Sequence, residues 1–343
     1  MRPFYEQHHF DHRPISKVGA RHIPEYVTDF VRWYDENLAV TPHVADAKTH
    51  MTAFSKMDAK KFRQTSRRGI GSYAKSLGHW PDFLRAKSFM AMTTMHALLM
   101  PMPRHQPADK LLVGDWIQDH LKDQVTTAEV VRIFDKGDDV NFDGIEPGVY
   151  FLKANHGSHY NCRVVIPCSD EEMTHLRSEA NRWLASNYGE FSCQWWYQYI
   201  DRKVFLEKSL LAADEPGPLE DYRFHIINGK AAFLQLDVGL GTENRHNPIY
   251  DENLNWLPYE FVRDNLHEVE LPEIAGRAQK LAIELGSQFQ YCRVDLYVKN
   301  EELILGELTF LPNAGRRPVN SPELDEYICS FWQDKMPEVT RIE

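Results

Sequence analysis

The stretch YCRVDLYVKNEELILGELTF, residues 291–310, decides the fold, because it predicts a β-hairpin with acidic side chains on one face. Successive side chains of a strand point to opposite faces. A turn centred on Glu301 places Asp295 opposite Glu307, with their Cβ atoms roughly 5 Å apart. On this register, one face of the hairpin carries Arg293, Asp295, Tyr297, Leu305, Glu307 and Thr309.

This pair of acids needs a cation, because two bare carboxylates at that separation repel each other. Oxygen ligands on a rigid hairpin suit Mg²⁺, which binds one or two carboxylates and completes its coordination with water and phosphate oxygens. Mn²⁺ can take the same ligands. The alternative is a solvated sheet face. An Asp in mid-strand between apolar neighbours is disfavoured, so the sequence favours a metal site at Asp295 and Glu307.

The composition is that of a globular protein with two or three domains or subdomains. The chain has 343 residues, 43% of them hydrophobic, and a formal net charge of −11. A chain this acidic is not expected to coat nucleic acid. The first residues have no apolar core behind their charges, and the longest weakly charged run, 89–102, is too short and polar to span a bilayer. We therefore expect neither a secretory signal nor membrane insertion.

The five cysteines include no CxxC pair and form no even-numbered framework. Reduced thiols in the cytoplasm are the simplest interpretation, and a zinc site is not expected.

The segment PMPRHQP, residues 101–107, is the clearest boundary, because consecutive X-Pro steps favour extended backbone. The part before it is predicted to be mainly helical, with an amphipathic helix at 23–38, and to contribute to the acceptor site. Its basic segment, 54–75, is either a solvated face or a docking site for a polyanion or a nucleotide phosphate. We divide the chain into an N-terminal region, 1–107, and two subdomains, 108–205 and 206–343.

The stretch GVYFLKANHGSHYNCRVVIP predicts two strands joined by a glycine-containing turn. Lys153 lies near the end of the first strand, where a lysine costs desolvation unless an anion compensates it. Asn155, Gly157 and Ser158 then supply the small and polar residues that a phosphate cradle uses. The turn is either such a cradle or an ordinary structural hairpin. It is not a Walker A loop, because GxxxxGK[ST] is absent.

The remaining sequence predicts an α+β fold with largely antiparallel sheets. Residues 108–121 are expected to form a helix. DYRFHIINGKAAFLQLDV predicts two strands about the turn Asn228-Gly229, with Arg223 on the first strand, either at a surface position or in a site. LPEIAGRAQKLAIELGSQF predicts a helix that stops at Gly286.

The chain resembles the ATP-grasp superfamily, and most closely its teichuronopeptide-biosynthesis (TupA-like) branch, over roughly residues 108–335. The motifs that carry the resemblance, in order, are FLKANHGSHYN, VFLEKSL, DYRFHIINGK, YCRVDLY and GELTFLPNAG. The resemblance implies two α+β subdomains that clasp ATP between antiparallel sheets. It also implies the superfamily's usual reaction, in which a carboxylate is joined to an amine through an acyl-phosphate.

The resemblance implies roles for the residues that match these motifs. Lys153 matches a lysine that contacts the phosphates, and Arg293 matches the arginine that steadies the acyl-phosphate and binds substrate. Asp295 and Glu307 match the Mg²⁺ ligands. The other implied ATP contacts are Lys110, His156, Gly157, Ser158, Glu207 at the hinge, Lys208, Ser209, Asp214 at the ribose and Arg223 near the transferred phosphate.

Two features differ from or extend the family pattern. Thr309 stands where many members have an Asn ligand, so either its hydroxyl ligates or Asn313 substitutes from the following loop. The polar segment 236–256 includes Asp237 and Arg245. Its place in the order of the motifs puts it on the acceptor side of the site. It either contacts a sugar or an amino acid there or forms a plain surface loop.

The implied function is an ATP- and Mg²⁺-dependent ligase that forms an amide or peptide bond in polysaccharide or secondary-metabolite biosynthesis. Its expected partners are ATP, a carboxylate substrate and an amine substrate. One alternative is an ATP-grasp kinase that phosphorylates a sugar or another small molecule. A second is a non-catalytic nucleotide-binding protein, against which the joint presence of Lys153, Arg293, Asp295 and Glu307 argues.

Overall fold

The computed structural model describes residues 44–45, 48–56, 59–77, 88–190, 193–211, 219–239, 242–261, 267–317, 319–332 and 341–342. The described helices are α1 (Ala53–Lys56), α2 (Ala59–Leu77), α3 (Phe89–Leu99), α4 (Asp170–Leu184), α5 (Ile274–Gly286) and α6 (Pro322–Ser330). The strands are β1 (Val44–Ala45), β2 (His50–Met51), β3 (Met102–Pro103), β4 (Val125–Thr127), β5 (Val130–Phe134), β6 (Gly148–Ala154), β7 (Asn161–Ile166), β8 (Val204–Lys208), β9 (Asp221–Ile227), β10 (Lys230–Asp237), β11 (Ile249–Tyr250), β12 (Trp256–Leu257), β13 (Tyr291–Lys299), β14 (Glu302–Thr309) and β15 (Arg341–Ile342). Among the described helices, none has the length and hydropathy needed to cross a bilayer.

The smaller sheet has the strand order β5-β8-β6-β7, and all its neighbouring strands are antiparallel. One face packs against α4, where Leu152 and Leu206 are buried in an apolar cluster. Helix α4 begins after Ser169, whose hydroxyl accepts a hydrogen bond from the first turn. Because side chains alternate along a strand, Lys153 and Glu207 point from the opposite face.

The larger sheet has the order β12-β11-β10-β9-β13-β14-β4, antiparallel except for the last pair. Helix α5 covers one face with the buried side chains Leu281 and Leu285, each of which would cost about 2–5 kcal/mol to truncate to Ala. Helix α3 covers part of the other face, where Phe89 packs edge-on against His225 and Phe233. The rest of that face stays open towards the smaller sheet and carries charged residues.

The hairpin of β13 and β14 pairs Asp295 with Glu307, as the sequence predicts, but for a different reason. The turn consists of two residues, Asn300 and Glu301, both with positive φ. A two-residue turn alone would pair Asp295 with Gly306. The register shifts next to Asp295, and this bulge supplies the extra residue that brings Glu307 opposite it. The bulge also pairs Leu305 with Leu296, so Leu305 leaves the face on which we predicted it.

The mixed architecture with largely antiparallel sheets confirms the predicted α+β fold. The hairpin turn at Asn228-Gly229 and the end of α5 at Gly286 are also as predicted. The predicted helix over 108–121 is wrong, since two short 3₁₀ turns, Val113–Trp116 and Asp119–Leu121, occupy that segment.

The division of the chain needs one correction. The boundary predicted between residues 205 and 206 falls inside β8, because the smaller sheet continues to Lys208. Within the described part of the N-terminal region, α1, α2 and α3 follow one another between the short strands β2 and β3. The predicted helix at 23–38 lies outside the described residues.

Candidate active site

A cleft of about 420 Å³ lies between the two sheets. Predicted site residues from both sheets and from the segment before β4 line it together: Lys110, Lys153, Gly157, Ser158, Glu207, Arg223, Asp295 and Glu307. These residues come from distant parts of the sequence, so the fold brings eight of the predicted site residues together in one cleft.

Arg293 lies between the two acids of the hairpin. Its Nε donates to Asp295 Oδ1 at 2.7 Å and its Nη2 donates to Asp295 Oδ2 at 2.5 Å. The same Nη2 reaches Glu307 Oε1 at 3.0 Å and Thr309 Oγ1 at 3.2 Å. Arg293 and Asp295 are both buried, and Arg293 lies behind the acids rather than on the cleft wall. The guanidinium therefore supplies the positive charge that the two carboxylates require.

The two acids differ in their electrostatics. Burial raises the pKa of Asp295, and the negative charges of Asp221 and Glu307 add to this effect, while the contact with Arg293 opposes it. Burial would also raise the pKa of Glu307, but Lys110 and Arg293 outweigh it and hold that pKa well below its usual range. Glu307 is thus the firmly ionised acid, and its side chain is 36% exposed towards the cleft.

Arg223 lies in a second charge cluster beside the first. It donates from Nε and Nη2 to Asp221 Oδ2, at 2.8 and 2.6 Å, and its Nη2 lies 2.8 Å from Asp237 Oδ2. Arg245 donates to the same Asp237 from Nε at 2.8 Å. Arg223 Nε is also 3.9 Å from Asp295 Oδ2, which joins the two clusters. The structure therefore brings the predicted residues Asp237 and Arg245 next to Arg223.

Asp221 and Tyr297 also line the cleft, and neither was predicted as a site residue, although Tyr297 was expected on the face of the acids. They are opposite each other on β9 and β13. Asp221 is buried, and its Oδ1 has no hydrogen-bond partner among the described residues. The signal was present, because Asp221 and Tyr297 stand two residues from Arg223 and Asp295 and must share their strand faces.

Lys110 links the two sides of the cleft. Its Nζ donates to the carbonyl oxygen of Gly157 at 2.9 Å and lies 3.4 Å from Glu307 Oε2. Gly157 has a φ of +89°, and a Cβ there would lie 2.9 Å from the ring of Tyr188. The turn therefore requires glycine, and the position implied for Lys110 by the resemblance does face the site.

On the smaller sheet, Lys153 donates to Glu207, and both side chains line the cleft. The backbone N–H groups of Lys208 and Ser209 are already used, donating to the carbonyls of Glu129 and Val149. The N–H groups of these two residues, which the resemblance implies as ATP contacts, are therefore occupied by backbone hydrogen bonds, and Glu207 and Leu210 line the cleft beside them.

Other predicted residues lie elsewhere. His156 is fully buried and its Nε2 contacts the carbonyl oxygen of Trp183, so its side chain belongs to the packing under α4 rather than to the cleft wall. Burial, with the nearby Arg202, lowers the pKa of His156 to about 4. Asn313 is exposed and does not line the cleft. Asp214 lies outside the described residues.

The donor set fits Mg²⁺ without enclosing it. Within the described ranges, no cluster of three or more His, Cys, Asp or Glu side chains has a geometry that holds a metal. Asp295 and Glu307 nevertheless offer hard carboxylate oxygens from paired positions, and the Thr309 hydroxyl lies 3.1 Å from Glu307 Oε1. A cation that keeps water and takes phosphate oxygens as its other ligands suits such a partial set.

A family model described as TupA-like ATPgrasp matches residues 99–331. No curated protein matches the chain.

Several solved structures are similar to it. One is a D-alanine–D-alanine ligase from Bacillus anthracis complexed with ATP, with 17% identity, a TM-score of 0.36, and coverage of 60% of this chain and 54% of that one. Another is the ATP-grasp ligase PsnB complexed with minimal precursor, with 10% identity, a TM-score of 0.35 and coverage of 66% and 60%. A third is a RimK domain protein ATP-grasp from Sphaerobacter thermophilus, with 10% identity, a TM-score of 0.35 and coverage of 70% and 68%. The matched region thus spans about half the length of the first of these ligases.

Proposed function

The chain belongs to the TupA-like ATP-grasp family, and from that premise we propose that it is an ATP- and Mg²⁺-dependent carboxylate–amine ligase. It activates a carboxylate as an acyl-phosphate and transfers the acyl group to an amine, which forms an amide or peptide bond. The observation that carries this proposal is the charged face of the larger sheet. Asp295 and Glu307 are paired there beside Arg223 and Arg293, and Lys153 faces them from the other sheet.

This set of charges suits the chemistry. A carboxylate is a poor electrophile, and phosphorylation both removes its charge and installs a leaving group. Negative charge moves from ATP to the substrate in that step, so fixed positive groups contribute most of the catalysis. Lys110 and Lys153 are suited to bind the phosphates from one side, and Arg223 to stabilise the transferred group from the other. Arg293 lies behind the acids and positions Asp295 and Glu307. Mg²⁺ held by Asp295 and Glu307 would neutralise and orient the phosphate oxygens.

The order of residues along β13 supports an orientation for the substrates. Lys299 donates to the carbonyl oxygen of Leu210 at the hinge, and Tyr297, Asp295 and Arg293 follow at steps of two residues. We assign the base to the hinge end, the phosphates to Asp295, and the acyl-phosphate to the end at Arg293. The amine substrate then approaches from the side of β10, near Asp237 and Arg245.

We further propose that the acceptor is part of polysaccharide or secondary-metabolite biosynthesis, which rests on the TupA-like branch alone. All five cysteines are free thiols, which supports a cytoplasmic location. Mn²⁺ is expected to replace Mg²⁺ because it accepts the same oxygen ligands.

The decisive experiment measures ADP release from ATP with panels of acids and amines, with hydroxylamine present in a parallel set. A ligase releases ADP only when an acid is present and yields a hydroxamate in the parallel set. ADP release with a phosphorylated hydroxyl product and no hydroxamate would instead identify a kinase. Tight ATP binding with no ADP release on any panel would identify a non-catalytic binding protein. Glu307→Gln serves as the control, because it should remove turnover in the first two cases.

A further inference from the structure

The turn between β6 and β7 contains a histidine in a strained backbone conformation. His159 has a φ of +63°, in the left-handed region that costs a residue with a Cβ about 1–2 kcal/mol. This residue is exposed, and it lines the cleft between the two sheets. Its side chain makes no hydrogen bond, ion pair or ring contact with any residue that the structure describes.

The fold offers no structural reason for a histidine at this position. His156, in the same turn, is buried and contacts the carbonyl oxygen of Trp183, so its side chain is part of the packing. The side chain of His159 has no such contact, and glycine would adopt the same backbone conformation without the strain. Strain that no packing contact explains, on the wall of a cleft, points to a contact with a ligand.

Lys110 fixes the place of this turn within the cleft. Its Nζ donates to the carbonyl oxygen of Gly157 at 2.9 Å and lies 3.4 Å from Glu307 Oε2. The turn therefore lies beside Glu307, where the proposed function places the phosphates. The base is assigned to the hinge, at the other end of the cleft.

The backbone of the turn is also available to an anion. The N–H groups of Gly157, Ser158 and His159 donate to no acceptor within the described ranges. Successive unpaired N–H groups attract phosphate and other anions. The imidazole of His159 adds a side-chain donor to the same turn, and it has an N–H to donate whether it is neutral or protonated.

We propose that His159 binds the terminal phosphates of ATP, to which its imidazole donates a hydrogen bond. This inference rests on the proposed function and deepens it, because it adds a specific side chain to the nucleotide site. The histidine of this turn that meets the nucleotide is His159, and His156 supports the turn from beneath.

Calorimetry with Mg-ATP and with AMP, which lacks the terminal phosphates, tests the contact. His159→Ala removes the imidazole and keeps a Cβ at the same φ. The affinity for ATP should fall about 10- to 100-fold, as expected for a lost hydrogen bond to a charged group, and the affinity for AMP should not change. His175→Ala is the control, because His175 is exposed on α4, against the opposite face of the smaller sheet, and it should change neither affinity.

A second variant separates the ligand contact from a structural role. His159→Gly should bind ATP as weakly as His159→Ala does. It should not lower the free energy of unfolding, because the relief of strain offsets the greater freedom of the unfolded chain. Glu301→Gly is the matched control, since Glu301 is exposed at a φ of +62° and does not line the cleft. It should have the same effect on stability and leave ATP binding unchanged.

The outcomes distinguish this inference from the function on which it rests. If the unmodified protein binds no ATP, the proposed function and the inference fail together. If the unmodified protein and both His159 variants bind ATP equally well, only the inference fails. An equal loss of AMP affinity, or a loss of stability in His159→Gly that Glu301→Gly does not show, would also overturn the assigned contact.

Discussion

Replacing Asp295 with Asn should destabilise the protein as well as inactivate it. Asp295 accepts two hydrogen bonds from Arg293, and both side chains are buried. An Asn keeps one acceptor oxygen and presents an N–H group to the guanidinium, so one of the two bonds from Arg293 is lost and the other is made to a neutral amide, while the contacts with Glu307 and Thr309 remain. We expect a loss of about 2–3 kcal/mol in the free energy of unfolding, below the 3–5 kcal/mol typical when a buried pair loses one partner completely.

The control is Glu307→Gln, which removes the other acid. Glu307 is 36% exposed and shares Arg293 with Asp295, so this change should cost less than about 1 kcal/mol. Both variants should lose about 10²- to 10³-fold in turnover and should bind Mn²⁺ more weakly, because each removes one proposed ligand. Urea denaturation followed by circular dichroism gives the stability, and electron paramagnetic resonance gives the free Mn²⁺.

A double variant tests the cause. Arg293→Met combined with Asp295→Asn removes the buried cation together with its partner, and should recover most of the stability lost in Asp295→Asn while remaining inactive. The reasoning is refuted if Asp295→Asn unfolds at the same urea concentration as the unmodified protein, or if the double variant is less stable than the single one.

Three further predictions concern the loop over the cleft and the packing beneath it. Lys110→Met should weaken ATP binding about 10- to 100-fold, because it removes a charged contact between the two sides of the cleft; calorimetry showing an unchanged affinity would contradict this. Gly157→Ala should lower the free energy of unfolding by about 2–4 kcal/mol, because the new Cβ would clash with Tyr188. Gly144→Ala is the control, since Gly144 has a similar φ but lies in open space, and it should lower that free energy by only about 1–2 kcal/mol. Equal losses in thermal denaturation would exclude the clash. Burial lowers the pKa of His156 from 6.5 to about 4. The unfolded chain therefore takes up a proton on this residue at a higher pH than the folded chain does. Between pH 7 and pH 5, His156 should lower the free energy of unfolding by about 2 kcal/mol. Between pH 7 and pH 5, the His156→Phe variant should therefore lose about 2 kcal/mol less of its free energy of unfolding than the unmodified protein, as measured by urea titration. The same pH dependence in both proteins would contradict this prediction.

The sequence predicted the elements that local periodicity controls. Alternation along β13 and β14 and the Asn-Gly turn before β10 predicted which side chains share a face, except at Leu305, and the helical spacing of α5 predicted its buried stripe. The prediction of a helix at 108–121 failed, because the apolar residues of this segment are divided between the cleft and the protein interior rather than along one helical stripe.

His156 shows a second kind of failure. It stands next to Gly157 in a turn rich in polar residues, which is typical of a ligand contact. Its side chain instead packs beneath the loop, against α4, a helix whose position relative to the turn depends on the fold of the whole smaller sheet. Nothing in the local pattern distinguishes a loop histidine that points to the cleft from one that points to the core.

The sequence by itself predicted Asp295 and Glu307 as partners on one face, although it predicted a turn one residue longer than the real one. Only the tertiary structure decided how this partnership is made and neutralised. A bulge at Gly306 corrects the register of a shorter turn, Arg293 inserts between the acids, and Lys110 reaches Glu307 from a segment far away in the chain. The physical reason is that electrostatic pairing depends on distances of a few ångströms between remote segments, and those distances are set by sheet order and packing.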